Sequence, residues 1–311
     1  MENDTDCMKR RLLYAASQTY QPEMEVLHRQ VEWIGSPIVI RRQVERQPLD
    51  LALVGRVREG VLIAFRGSLA PFHGGRHAGW ASLLEWLDDG VALCVEDRIY
   101  GGGVHFGFAE SMRRLWADRD GTPGVASAVQ ALLDLGARRH LFVTGHGKGG
   151  ALANLAGLRA ARHEPWADLP ISVATFAAAR AGDAAFARSY AGTRILCLRY
   201  EVSADPVPHL PPSNASPAWA RRLARLACTG LRRGDWQPVG KRVSVDPVRK
   251  PWPRRLLARM RGADLVLLTP AAIAAHSICP SSPYDRLVCL GEPDCNHGRE
   301  TIRILPGRRA A

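Results

Sequence analysis

RRHLFVTGHGKGGALANLAGLRAAR, residues 138–162, is the stretch whose reading decides the fold. His140 to Thr144 is apolar and β-favouring, which predicts a buried strand. Gly145-His146-Gly147-Lys148-Gly149-Gly150 predicts a tight, glycine-rich turn. From Ala151 onward, Ala151, Leu152, Leu155 and Leu158 recur at helical spacing.

Strand, sharp turn and helix are the layout of a nucleophile elbow, whose pattern is G-x-S-x-G. Gly145 and Gly149 are the framing glycines, and Gly147 occupies the central position where serine belongs. The pair Gly147-Lys148 also invites comparison with a phosphate-binding loop. That motif needs glycine and Ser or Thr where Phe142 and Gly149 stand, so it is not met.

Outward from the elbow, Leu12, Leu13, Ala16 and Tyr20 give residues 1–30 a weak helical face. Residues 51–65, LALVGRVREGVLIAF, predict a β-hairpin turning at Arg58-Glu59-Gly60. Residues 70–79 predict a loop, and Trp80, Leu83, Leu84 and Leu87 an amphipathic helix ending near Gly90. Val104 to Phe108 is a short segment before a helix. Val125, Val129, Leu132 and Leu133 mark another helix, leading into the elbow strand. Ile171 to Ala177 and Ile195 to Tyr200 are further buried-strand candidates, and Val239, Val243 and Val245 suggest one more.

A chain of 311 residues, 46% hydrophobic, can bury a substantial core. Its first six residues are acidic and polar, unlike a secretory signal, and no apolar run reaches the roughly 18 residues of a spanning helix. Seven scattered cysteines favour reduced thiols. The expected location is therefore cytoplasmic, with signal-independent export or peripheral membrane association left open. His73 and His77 form a weak metal pattern, and Cys289, Cys295 and His297 do not match zinc spacing, so no metal site is expected. His105 and His146 are expected to be structural hydrogen-bonders.

The net charge is +12, and it is concentrated. Residues 221–261 carry thirteen Lys or Arg against Asp235 and Asp246, an excess of eleven. Two basic amphipathic helices are expected there, one from Ser216-Pro217 and one near Pro253. Such a segment is either a solvated cap or a surface that docks on anionic lipid. Nucleic acid is the remaining partner class, and no recognisable motif supports it.

Several of these segments, in order, resemble the class 3, or fungal-type, lipases among the α/β-hydrolases. Ile63 to Ser68 is similar to the family's FRG[ST] segment, Trp86 and Asp88 stand where it tends to have Trp and Asp, and Val104 to Phe108 resembles VHxGF. Val143 to Ala153 is similar to VTGHSLGGALA, with Gly147 for serine and Lys148 for leucine. Thr175 to Asp183 resembles TFGxPRVG(N/D), with Ala177 and Ala179 for the usual glycine and proline. Asp205 to Pro212 resembles DxVPHLPP, and His276, with Tyr284 downstream, sits where the family's last triad member comes.

The resemblance implies one α/β-hydrolase domain over residues 1–311, with its core over 50–290 and a basic insertion over 213–262. It implies a mostly parallel central sheet with helices on both faces. It also implies ester hydrolysis on lipids, with His276 as base, Asp205 as its orienting carboxylate and Gly147 at the nucleophile position. Ser68 and the backbone N–H of Lys148 would form the oxyanion hole. No cofactor is implied, and the oligomeric state is left open. The stretch from Trp80 to Leu87 is either a lid or an ordinary surface helix. Glycine has no side chain to attack with, so the serine mechanism is expected not to run. The alternative is a non-catalytic pseudolipase that binds acyl lipid or an anionic membrane through the basic segment.

Overall fold

The computed structural model describes residues 3–44, 47–68, 94–202, 205–211, 213, 235–245, 276, 278 and 284. Among them the chain runs α1 (Asn3–Gln18), α2 (Glu25–Val31), β1 (Ile34–Val44), β2 (Gln47–Val57) and β3 (Gly60–Phe65). It continues with β4 (Cys94–Asp97), β5 (Gly102–His105), α3 (Phe106–Trp116), α4 (Val125–Asp134), β6 (Leu141–His146) and α5 (Lys148–Ala161). Then come β7 (Ile171–Phe176), β8 (Gly182–Asp183), α6 (Ala184–Ala191), β9 (Leu196–Val202), β10 (Trp236–Gln237) and β11 (Lys241–Val245).

Seven strands form the main sheet in the order β1-β2-β3-β6-β7-β9-β11. The β1, β2 and β3 strands pair antiparallel, and β3, β6, β7, β9 and β11 pair parallel. The hairpin expected over 51–65 forms, with Val57 opposite Gly60 across the turn. A smaller sheet runs β10-β8-β5-β4.

Side chains alternate across a strand, so one sheet feeds two cores. Val61, Ile63 and Phe65 of β3 join Val143 of β6 in a cluster with α3, α4, α5 and α6. The intervening Leu62 and Ala64 join Phe142 and face α1 and α2. Helices therefore cover both faces of a mostly parallel sheet, the α/β-hydrolase arrangement. The elements α1, α2 and β1 lie upstream of residue 50 and pack into this same body.

Several expected boundaries shift. The strand expected over 140–144 runs to His146, and α5 starts at Lys148, so the turn is one residue rather than six. Tyr20, grouped with the helical face by spacing, lies beyond the end of α1. Val104 and His105 are strand, and Phe106 already opens α3. The loop over 70–79, the helix over 80–90, the two basic helices, His73, His77, Cys289, Cys295 and His297 lie outside the described residues. Among the described residues, no helix is long and apolar enough to cross a membrane.

Candidate active site

The geometry starts from the one-residue turn. Gly147 has φ 58° and ψ −120°, a backbone conformation that L side chains adopt only under strain. Its N–H donates to the Phe176 carbonyl at 3.0 Å, and its carbonyl accepts from the N–H groups of Gly150 and Ala179 at 3.1 and 3.3 Å. These bonds hold the turn from both sides without any side chain at 147. The framing glycines have a different cause. A Cβ at Gly149 would stand 2.1 Å from the Phe65 carbonyl oxygen, and one at Gly145 would stand 2.2 Å from that of Gly149. Helix α5 thus folds back against β3 and β6 at a distance only glycine permits. Ala177, where the resembling family segment has glycine, is held at φ 51°, at a cost of about 1–2 kcal/mol.

Facing the turn is a His–Asp pair. His276 Nδ1 lies 3.1 and 3.0 Å from the two carboxylate oxygens of Asp205. A carboxylate accepts only, so Nδ1 carries the proton and Nε2 of the neutral ring keeps its lone pair. A Cβ built on Gly147 would stand 3.3 Å from that Nε2. Asp205 is buried and also accepts from the Val207 N–H at 2.9 Å and the Tyr284 hydroxyl at 2.5 Å. Burial, and then the neighbouring Asp205 charge, push the Tyr284 hydroxyl well above its ordinary range, so it stays a donor.

His146 is buried and performs a structural task. Its Nε2–H donates to the His276 carbonyl at 2.8 Å, and its Nδ1 accepts from the Tyr20 hydroxyl at 2.9 Å. Burial, and then the proximity of His276, hold its pKa well below the usual imidazole range. The ring is neutral, which this pattern of one donor and one acceptor requires. His105 is likewise buried, stacked on Phe108 at 4.2 Å between ring centroids.

Two donor positions flank Gly147. Lys148 is the first residue of α5, so its backbone N–H has no intrahelical acceptor. Ser68 lies three residues beyond β3, whose Phe65 is opposite Gly145 in β6. A Cβ on Gly67 would meet the His146 carbonyl oxygen at 2.5 Å, so the chain leading to Ser68 crosses close to the elbow.

The Lys148 side chain runs the other way, into the protein. Its Nζ is 2.8 Å from Asp50 Oδ1, and Arg114 Nε is 2.8 Å from Asp50 Oδ2. Burial would raise the Asp50 pKa, but Lys148 and Arg114 outweigh it and hold the carboxyl below its ordinary range. Asp50, Arg114 and Tyr20 contribute to this site without a motif to announce them. The only sequence trace of Asp50 is an acid directly before an apolar strand.

Residues 62–215 match the family model described as lipase (class 3). Among solved structures, the chain is similar to a propeptide complex of Rhizomucor miehei lipase, at 20% identity and TM-score 0.56, covering 78% of this chain and 68% of that one. It is similar to the lipase from Rhizopus microsporus var. chinensis, at 21% identity and TM-score 0.56, covering 78% and 76%. A triacylglycerol lipase from Penicillium expansum matches at 16% identity and TM-score 0.51, covering 76% and 77%. At these identities the likeness is one of fold. No curated protein matches the chain.

Proposed function

We propose, from the match of residues 62–215 to the class 3 lipase family model, a Ser-His-Asp ester-hydrolase site that has lost only its nucleophile. Asp205 orients His276 through Nδ1, His276 presents Nε2 as base, and the N–H groups of Lys148 and Ser68 receive the oxyanion. Gly147 leaves the attacking atom missing. The observation that carries this is the position of the absent side chain: its Cβ would stand 3.3 Å from the base nitrogen.

The loss is large. Removing a hydrolase's serine lowers turnover by roughly a million-fold, while binding and the oxyanion hole retain roughly a thousand-fold advantage over water. A water in the vacated space, deprotonated by His276, is the route for that residue of activity. Lipid esters are the substrate class. Comparing this chain with Gly147→Ser on p-nitrophenyl esters of short and long acids, and on a phospholipid, tests the proposal. Turnover rising by several orders of magnitude with serine supports it. Equal inertness of two folded proteins overturns it.

A second reading has its own observation, the excess of eleven positive charges over residues 221–261. A pseudolipase holding acyl lipid at an anionic membrane would bind anionic liposomes with a steep salt dependence and co-purify with lipid.

A further inference from the structure

Tyr20 lies upstream of the matched residues 62–215, yet its hydroxyl sits where the elbow strand, the oxyanion segment and the base come together. The Thr144 hydroxyl of β6 donates to the Leu12 carbonyl at 3.1 Å and fastens α1 to the elbow strand. Beyond Gln18 the chain turns, and the Tyr20 N–H donates to the Ser17 carbonyl at 3.1 Å. Trp33 Nε1 donates to Gln18 Oε1 at 2.7 Å and holds the end of the helix.

The Tyr20 hydroxyl donates to His146 Nδ1 at 2.9 Å. A hydrogen bond from the Gly67 backbone reaches the same oxygen, and a Cβ on Gly67 would stand only 2.3 Å from it. Gly67 directly precedes Ser68. On its other side His146 donates through Nε2–H to the His276 carbonyl at 2.8 Å, with the two rings 4.4 Å apart between centroids. The single hydroxyl proton is thus committed to His146, and the oxygen receives Gly67. Burial, opposed more weakly by Arg66, pushes the Tyr20 hydroxyl well above its ordinary range, so it stays a donor.

We propose that Tyr20 is the positioning residue that sets the base and the oxyanion segment against each other, acting on His276 through His146 and on Ser68 through Gly67. This rests on the ester-hydrolase reading above. Without the hydroxyl, His146 Nδ1 becomes a buried acceptor with nothing to accept, and the ring gains by turning or by changing tautomer. Either change withdraws the Nε2–H from the His276 carbonyl. The base then loses its tie to the elbow strand, and its Nδ1 contact with Asp205 loosens. Gly67 loses its acceptor at the same time. Tyr284 also faces the His146 ring, at 6.3 Å between centroids, but its hydroxyl is committed to Asp205 and does not replace Tyr20.

The first measurement compares imidazole nitrogen NMR spectra of the unaltered chain, Tyr20→Phe and, as control, Tyr14→Phe, which alters a buried tyrosine on α1. In the unaltered chain His146 should hold the Nε2–H tautomer and His276 the Nδ1–H tautomer. Tyr20→Phe should broaden or average the His276 signals, and Tyr14→Phe should leave them as they are. The second measurement uses Gly147→Ser on p-nitrophenyl butyrate. Adding Tyr20→Phe should lower kcat about tenfold with KM nearly unchanged, an effect that mere loss of packing does not produce. Adding it to a protein that already carries Gly147→Ser and His146→Ala should lower kcat much less, because both substitutions break the same chain of bonds.

An Nδ1–H tautomer at His146 in the unaltered chain overturns the proposal before any variant is made. So do His276 signals that Tyr20→Phe leaves unchanged, or a kcat loss of equal size with and without His146. If Gly147→Ser is inert, the ester-hydrolase reading falls, and the nitrogen spectra alone decide whether Tyr20 sets His276.

Discussion

Lys148 Nζ and Asp50 Oδ1 lie 2.8 Å apart in the interior, joining the first residue of α5 to the start of β2, with Asp50 only 2% exposed. The same carboxylate accepts from Arg114. Leu51, its neighbour, accepts the Arg66 N–H at 3.0 Å on the way to Ser68. One short stretch of β2 thus holds the segments on both sides of Gly147. Breaking a buried pair by removing one partner costs about 3–5 kcal/mol, because the other charge stays buried. Asp50→Asn strands two cations, whereas Lys148→Leu leaves Asp50 still paired with Arg114. Denaturant unfolding should therefore show the Asp50 variant as the less stable of the two.

Acid should weaken the fold before any carboxylate titrates. Burial, and then the proximity of His276 and Lys148 respectively, depress the His146 and His105 imidazoles, the latter to about 4. In the unfolded chain both titrate near the ordinary value, about 6.5. Between that value and the folded one, the unfolded state binds more protons, so stability is full above about pH 6.5 and falls as pH drops. Each imidazole contributes a slope of about 1.4 kcal/mol per pH unit. Unfolding free energies measured from pH 7 to pH 4.5 should show this slope. A flat profile would mean that these rings are solvated.

On the proposed reading, Gly147 favours stability over activity. A side chain at φ 58° and ψ −120° is strained by about 1–3 kcal/mol, and its Cβ also presses on His276. Gly147→Ser and Gly147→Ala should both unfold at lower denaturant than the unaltered chain, by similar amounts. Only the serine variant should gain turnover.

Tyr284 donates its hydroxyl hydrogen to Asp205, and on the proposed reading it is a positioning residue for that carboxylate. In a Gly147→Ser background, Tyr284→Phe should lower kcat by about tenfold with KM nearly unchanged, because the lost hydrogen bond steadies the charge that develops on His276 in the transition state. A change confined to KM would assign the tyrosine to substrate binding.

The elbow was legible because its chemistry is local. Strand residues, two close-approach glycines and a helical repeat fall within twenty-five positions, 138–162, and each leaves its mark on residue type. The hairpin into β3 was legible for the same reason. The strand β1 was not, because Gly35 and Pro37 interrupt IGSPIVIRRQV and its partner residues supply the missing regularity. The second sheet hid because β8 and β10 have two residues each, too few for any alternation. Asp50 and Lys148 are 98 positions apart, and neither residue type announces the other. Tyr20 joined the apolar spacing of α1, but the chain leaves the helix at Gln18 and turns its hydroxyl to His146.

The most direct test is covalent. A dialkyl p-nitrophenyl phosphate phosphorylates a serine only where a base, an oxyanion hole and an elbow already stand, whatever the natural substrate. Intact-mass measurement after incubation should show one stoichiometric adduct on the Gly147→Ser variant, mapped to position 147. It should show none on the unaltered chain and none when His276→Ala is added. A Gly147→Ser protein that folds and stays unlabelled would contradict the central claim that only the nucleophile is missing.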